Sequence, residues 1–531
     1  MHFLRSPLAV ASISLIFAAV ATPLSIPGAA NSAINTTTCN GKKYVYEELA
    51  GYGYLPSNDR DKYGDTLGGI GSSAAIDRET WRKEGKSYKG TLYALPDRGY
   101  NTQGTLNYQN RVQKIEITFA PNEAATVANP SAPNIHMKYL DTILFTDPDG
   151  TPTTGLNPDF RGPYKRFDSI PFALPSVHYE GNGFGGDGPG GFRVSFDSEG
   201  LVLGHDGTFW VSDEYGPFVY HFDSKGKMIG AIKPPNAFIP RRNGTNSYAT
   251  DDAPIYDQDL LPVPEDPDTG RNNNQGFEGL TTNPEGTKLY VLLQSATVQD
   301  GGLEDGGNTN TRFLIYDITT TQPTLEAEYV VPLNRVDHTD DESDAAAQSE
   351  IHYISDTQFL VLARDGDVGR GQDDTESQYR QVDIFDISDA TDVQGVADCY
   401  GCQVAITRAG ELLPNITAAE YCSWLDFNVN SQLKRFGVHN GGAQNRGLLN
   451  EKWESLALVP VNPEKGLYGG QPAGGDEEYY LFSLSDNDFI TQDGYANGGK
   501  FTYADDSGYN LLNQALVFKV KIPAGSAPLV G

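Results

Sequence analysis

The sequence predicts an all-β fold, a β-propeller of about six blades with five to seven allowed, and three observations predict it. Helical signals are scarce. Short apolar or alternating runs dominate, bounded by Gly, Asn, Asp and Pro. Those runs recur with the same flanks in the same order, which is the mark of a repeat architecture.

The runs Thr91–Leu95, Thr208–Ser212, Lys288–Leu293, Gln358–Ala363 and Glu478–Ser483 read as strands. Each follows a short start bearing Gly or Glu: Gly69–Gly71, Glu199–Leu201, Glu278–Leu280, Glu350–Ile351 and Glu454–Leu456. Each runs into a polar turn: Pro96–Gly99, Ser212–Gly216, Gln294–Ser295, Arg364–Gly366 and Ser485–Asp488. A third run follows at Phe222–Ser224, Tyr316–Thr319 and Phe385–Ser388, with weaker partners at Ile115–Thr118 and Val517–Val520. Five units are clear, and residues 39–60, 141–185 and 396–445 remain to supply a sixth. The best helical signal is the capping-box pattern Thr417-x-x-Glu420, which predicts a helix through roughly Phe427. A ring grows by repetition, so one domain over residues 22–531 absorbs a length that ~150 residues per domain would split into three or four.

Residues 1–21 read as a cleaved signal peptide: Arg5 precedes the apolar run Leu8–Val20, which ends in Ala19-Val20-Ala21. The expected product is an extracellular, monomeric protein without a membrane-spanning segment. In an oxidising compartment Cys39, Cys399, Cys402 and Cys422 form two disulfides in one of three pairings, and a bridge from Cys39 to the 399–422 region would help close a ring. Asn35, Asn243 and Asn415 open glycosylation patterns and are expected at the surface.

With 39 Lys plus Arg against 70 Asp plus Glu, the net charge of -31 excludes nucleic acid as a partner, because phosphate backbones need clustered cations. There is no Gly-x-Ser-x-Gly elbow, no His-Glu-x-x-His helix and no Walker loop, and the histidines are scattered singly. Carboxylates and arginines are left as the working groups.

In a propeller the first strand of each unit lines the axis, so Glu199, Glu278, Glu350 and Glu454 are expected to converge there. Converging carboxylates repel unless they are protonated or bridged by a cation, and hard oxygen donors suit Ca²⁺. Asp213 and Asp486, at the ends of the second strands, extend the candidate ligand set. The competing reading is that such acids bind the backbone amides of their own turns. Arg98 and Arg364, beside Asp97, Glu214 and Asp365, are the candidate catalytic groups, since a guanidinium fork suits a metal-bridged anion.

These runs carry a family resemblance. Leu95–Gly99, Phe209–Pro217, Asn274–Leu280 and Leu360–Gly366 resemble the signature stretches of the phytase-like family called esterase-like activity of phytase, over roughly residues 65–520. The resemblance implies a secreted or surface β-propeller and, by the family's label, phosphoester hydrolysis. Two positions depart from it: Gln275 stands where an Arg is expected, and Glu454-Ser455-Leu456 replaces Glu-Gly-Leu. The expected function is therefore a calcium-dependent phosphoester hydrolase acting on a small anionic substrate. Its alternatives are a calcium-dependent lactonase or carboxylic-ester hydrolase on the same propeller, and a non-catalytic propeller that binds carbohydrate or protein.

Overall fold

A computed structural model describes residues 33–303, 307–337, 343–406, 410–466 and 477–531. The expected signal peptide lies outside the described residues. Residues Ala33–Gly531 cluster as one compact unit.

The described strands form three four-stranded antiparallel sheets, several two-stranded ribbons and one ten-stranded sheet, which a single parallel pairing of Gly53 with Ile135 divides into two further four-stranded antiparallel arrays with Asn35–Cys39 and Arg82–Glu84 at their sides; the five arrays are called sheets below. In strand order the first holds Ser73–Ile76, Ser87–Leu95, Arg111–Phe119 and Ile135–Leu144. The second holds Ser198–Leu203, Phe209–Asp213, Val219–Phe222 and Met228–Ile232. Phe277–Thr282, Lys288–Leu293, Asn310–Asp317 and Thr324–Pro332 make the third. Ala347–Tyr353, Gln358–Arg364, Arg380–Asp386 and Glu420–Asp426 make the fourth. The fifth takes Ala457–Pro460, Glu477–Leu484 and Asn513–Ile522 from the end of the chain and Lys42–Leu55 from its beginning.

Burial explains the roles within a sheet. Phe277–Thr282 is buried at every position, as a strand with neighbours on both faces must be, whereas Arg111–Phe119 alternates along most of its length. Apolar cores lie between successive sheets. Val112 and Phe209 share one, Val219 and Leu314 the next, Phe313 and Phe385 the third, Leu362 and Leu481 the fourth. A fifth core, with Ile115 against Phe482 and Val517, joins the last sheet to the first. At that junction Gly53 pairs with Ile135, and a Cβ on Gly53 would stand 2.3 Å from the Ile135 carbonyl oxygen. Glycine is required there by close approach.

The stretches reserved for a sixth unit are spent differently. Residues 42–55 complete the fifth sheet, the end of Ile135–Leu144 belongs to the first, and Glu420–Asp426 is the outer strand of the fourth. That last strand also corrects the helix expected from Thr417. Tyr421, Cys422 and Leu425 pair with Phe385, Ile384 and Val382, and this ladder overrides the local capping pattern.

Cys39 is disulfide-bonded to Cys422 and Cys399 to Cys402. The first bridge ties the strand beside Lys42–Leu55 to the fourth sheet, in line with the expected link from Cys39 to the late segment. Asn35, Asn243 and Asn415 are all exposed, with Asn35 opening a strand rather than sitting in a loop.

Candidate functional site

Strand register brings the candidate acids together. In the second, third and fourth sheets the first strand carries a bulge near its start, between Ser198 and Leu201, Phe277 and Gly279, and Gln348 and Glu350. The pairs Leu201↔Val211, Leu280↔Val291 and Ile351↔Val361 superpose, so Glu199, Glu278 and Ser349 are equivalent. In the fifth sheet Trp453 faces Ser485 and Ala457 faces Phe482, which puts Glu454 at the same place. In the first sheet Ser73↔Leu95 puts Gly71 there, where a Cβ would lie 2.0 Å from the Ser485 carbonyl carbon. A second tier follows at the ends of the second strands: Arg98, Glu214, Gln294, Arg364 and Asp486.

Glu350 is thus one residue out of step with the other glutamates and stands where they carry Gly or Ser. Its carboxyl accepts from Ser73 Oγ at 2.6 Å and from the backbone N–H groups of Leu280 and Ile351 at 3.0 and 2.9 Å. It ties three sheets together and is not brought to the acid centre. Asp213 is likewise committed to backbone: it accepts from the N–H groups of Asp197, Tyr215 and Gly216 and from Tyr220 Oη, all between 2.8 and 3.1 Å. Asp365 accepts from Ser377 Oγ and from the N–H groups of Gln378 and Tyr379. For Asp213 and Asp365 the turn-binding reading describes the geometry, whereas Glu350 bonds across sheets.

The remaining candidates converge. One group has carboxylate oxygens of Asp197, Glu199 and Glu214 all within 4.8 Å of one another, and a second has Asp97, Asp486 and Asp488 in the same relation. Glu278 and Glu454 belong to the same buried neighbourhood, because each raises the proton affinity of others in it. Burial first, and then neighbouring carboxyls, push Asp97, Glu199, Glu214 and Glu278 well above the usual carboxylate range. Asp486 is pushed up to about 7 by burial, against the pull of Lys452.

Three cations answer these acids. Arg98 reaches Asp197 at 3.3 Å and Asp252 at 2.8 Å, and donates to Asn274 Oδ1 at 2.7 Å. Arg364 reaches Glu454 at 2.8 Å and Glu451 at 3.6 Å. Lys452 lies 2.9 Å from Asp488, 3.5 Å from Asp486 and 3.6 Å from Glu454. Burial opposes the charges on Arg364 and Lys452, but the surrounding carboxylates outweigh it and hold both protonated.

The balance leaves a cation deficit. Seven buried carboxyls, Asp97, Asp197, Glu199, Glu214, Glu278, Glu454 and Asp486, face three cations. Glu214 Oε1, Glu278 Oε2 and Glu454 Oε2 are buried without a hydrogen-bond partner. A buried carboxylate oxygen with no donor is costly, and an all-oxygen donor set of this kind fits a hard divalent cation such as Ca²⁺. Gln275, the departure noted above, accepts a hydrogen bond from Ser295 Oγ.

Asp197, Lys452, Asp488, Asp252 and Asn274 complete the site and were not singled out from sequence. Asp197 and Asp488 each lie two residues from a chosen acid, Glu199 and Asp486, so the acidic x-spacing was the available signal. Asp252 comes from a loop outside the repeat and leaves no pattern, whereas Asn274 opens the Asn274–Leu280 run that carries the resemblance, where the glutamate rather than the asparagine drew notice.

The family described as "Phytase-like: Esterase-like activity of phytase" matches residues 72–489, a span holding both carboxylate groups and all three cations. The chain is 52% identical over 472 residues to an uncharacterized secreted protein of Arthroderma benhamiae, covering 87% of this chain and 90% of that one. Among solved structures, an N-acetylgalactosamine deacetylase from F. plautii in complex with blood group B trisaccharide is 8% identical, covering 89% of this chain and 94% of that one at a TM-score of 0.30. The Dos1 propeller is 8% identical, covering 88% and 95% at a TM-score of 0.24. Likenesses that faint carry no weight for fold or chemistry. The family match spans most of the sequence and does: the chain belongs to the phytase-like family, esterase-like activity of phytase.

Proposed function

We propose that the protein is a secreted, calcium-dependent phosphoester hydrolase, with its five sheets arranged as the blades of a propeller around the acid centre. The observation that carries the reading is the set of orphaned oxygens on Glu214, Glu278 and Glu454 beside three fixed cations. Export is supported by the two disulfides and by the secreted relative.

Asp197, Glu199 and Glu278 would hold one cation with Glu214 beside it, and Asp97, Asp486 and Asp488 would offer a second oxygen-rich position. Bound Ca²⁺ supplies Lewis acidity and charge neutralisation at the phosphoryl group. The chain supplies the rest. Arg98 and Arg364, each locked by carboxylates, present planar donors that stabilise charge developing on phosphoryl oxygens. Lys452 adds a third positive charge at the rim. Glu214, with Oε1 unbonded and a raised proton affinity, is placed to take a proton from an attacking water. The centre sits behind a net charge of -31, so an anionic substrate approaches only when cations offset the acids.

Phosphate release from phytate and from an aryl phosphate should appear with Ca²⁺ and vanish on chelation. Absence of release with every divalent metal tried rejects the reading. The esterase-like family description favours one second reading, hydrolysis of a carboxylic ester or lactone at the same centre, and a panel of those substrates separates the two.

A further inference from the structure

The later ends of the first strands border a cavity of about 550 Å³. Its lining begins at Leu201, Leu280 and Leu456, each two residues and so about 7 Å along its strand from Glu199, Glu278 and Glu454, and extends away from the acid centre to Leu203 and His205. Its volume falls within the range of small-molecule sites. The walls are apolar, with Leu201, Phe209, Trp210, Ile351 and Leu456, and Leu529–Gly531 closes one side. That segment is fixed: the N–H of Gly531 donates to the Leu458 carbonyl at 3.1 Å, and His352 Nε2 donates to the Leu529 carbonyl at 2.9 Å.

Two features give the cavity chemistry. Trp210 and His221 stack with ring centroids 4.0 Å apart and planes within 3°, and both line the space. His221 Nε2 is buried with no hydrogen-bond partner. At the rim, Arg78 Nη2 donates to His205 Nδ1 at 2.5 Å, while His205 Nε2 donates to the Pro284 carbonyl at 2.9 Å. Arg78 has no carboxylate partner among the described residues, although the chain carries 70 acidic groups. The acids beside it serve their own turns: Asp77 accepts from the Glu79 N–H and Asp206 from Thr208.

We propose that this cavity binds a small organic acid, a flat or extended apolar body carrying one anionic group. The body packs along Trp210 and the apolar walls, and the anionic group meets Arg78 at the rim. The site is separate from the acid centre and does not depend on the reading proposed for it.

The test uses the full chain and 8-anilinonaphthalene-1-sulfonate, read by probe emission and Trp quenching. The expected result is saturable binding of one probe per chain, unchanged by EDTA, and displaced by decanoate but not by decyltrimethylammonium. Arg78→Ala should weaken binding about tenfold, the scale of one charged contact, with Arg78→Lys recovering part of it. Arg78 is only partly buried, so both variants should melt as the parent does. Non-saturable binding, equal displacement by the cationic and anionic amphiphiles, or an unchanged affinity in Arg78→Ala would each overturn the proposal.

Discussion

Arg364 Nη2 lies 2.8 Å from Glu454 Oε1, while Glu454 Oε2 on the same carboxylate is buried with no partner. The guanidinium stands on the second strand of the fourth sheet and the glutamate just before the first strand of the fifth. One carboxylate therefore joins neighbouring sheets with one oxygen and keeps the other for the acid centre.

Arg364→Ala should leave Glu454 buried and uncompensated. Removing one partner of such a pair costs about 3–5 kcal/mol, read as a lower denaturation midpoint at unchanged slope. Hydrolysis should fall on the order of 10²-fold or more in kcat, since an oriented donor to the transition state is lost. Arg364→Lys should recover stability better than rate, because lysine keeps the charge but not the planar fork.

Glu278 and Glu350 look alike in sequence and should behave differently. Glu278→Gln removes a donor from the acid centre and should weaken calcium binding by tenfold or more, about 1.4 kcal/mol, in a calorimetric titration. Glu350→Gln should leave calcium affinity within about twofold and lower the melting temperature instead, because its three hydrogen bonds join sheets.

The acid centre sets an unusual pH slope. Asp486 in that centre and Asp213 outside it both rise from an ordinary value near 3.8 to about 7 in the fold, so the folded chain binds more protons than the unfolded chain between those values. Stability in EDTA should therefore fall as pH rises from about 4 to 7, by up to about 1.4 kcal/mol per pH unit for each group. Saturating Ca²⁺ should flatten the share of that slope that comes from Asp486, because a cation favours the ionised carboxylates that proton loss creates, and leave the Asp213 share in place. Denaturant melts at pH 5 and pH 7, with and without Ca²⁺, measure it.

Gly71→Ala tests the tier alignment. Its Cβ would meet the Ser485 carbonyl carbon at 2.0 Å, so the first strand of the first sheet must move away from the fifth. A loss of about 1–3 kcal/mol is expected, with weaker calcium binding because Asp486 shifts with Ser485.

Much of this organisation was legible because each sheet reuses the same tokens. The inner strands, Glu199, Glu278 and Glu454, and the arginines Arg98 and Arg364 stood out by repetition. Glu350 was placed one residue wrong because the second, third and fourth sheets share the same bulge but the fourth carries Ser349 where the others carry Glu199 and Glu278, so its glutamate falls on the next position. The fifth sheet was not complete in sequence, since its closing strand Lys42–Leu55 precedes its partner Asn513–Ile522 by most of the chain. The Thr417 pattern failed for a different reason: a local cap cannot compete with a ladder of pairs to Arg380–Asp386. Lys452 gave no signal, because its importance comes only from the acids that surround it in space.

The most direct test of the account is a thermal melt of the intact protein with free Ca²⁺ titrated against an EDTA control. A cation bound only by the folded acid centre must raise apparent stability, by about 2.7 kcal/mol at a hundred times its Kd. The account predicts a saturable rise that is lost in Glu278→Gln and kept in Glu350→Gln. A melting temperature indifferent to Ca²⁺ would contradict it.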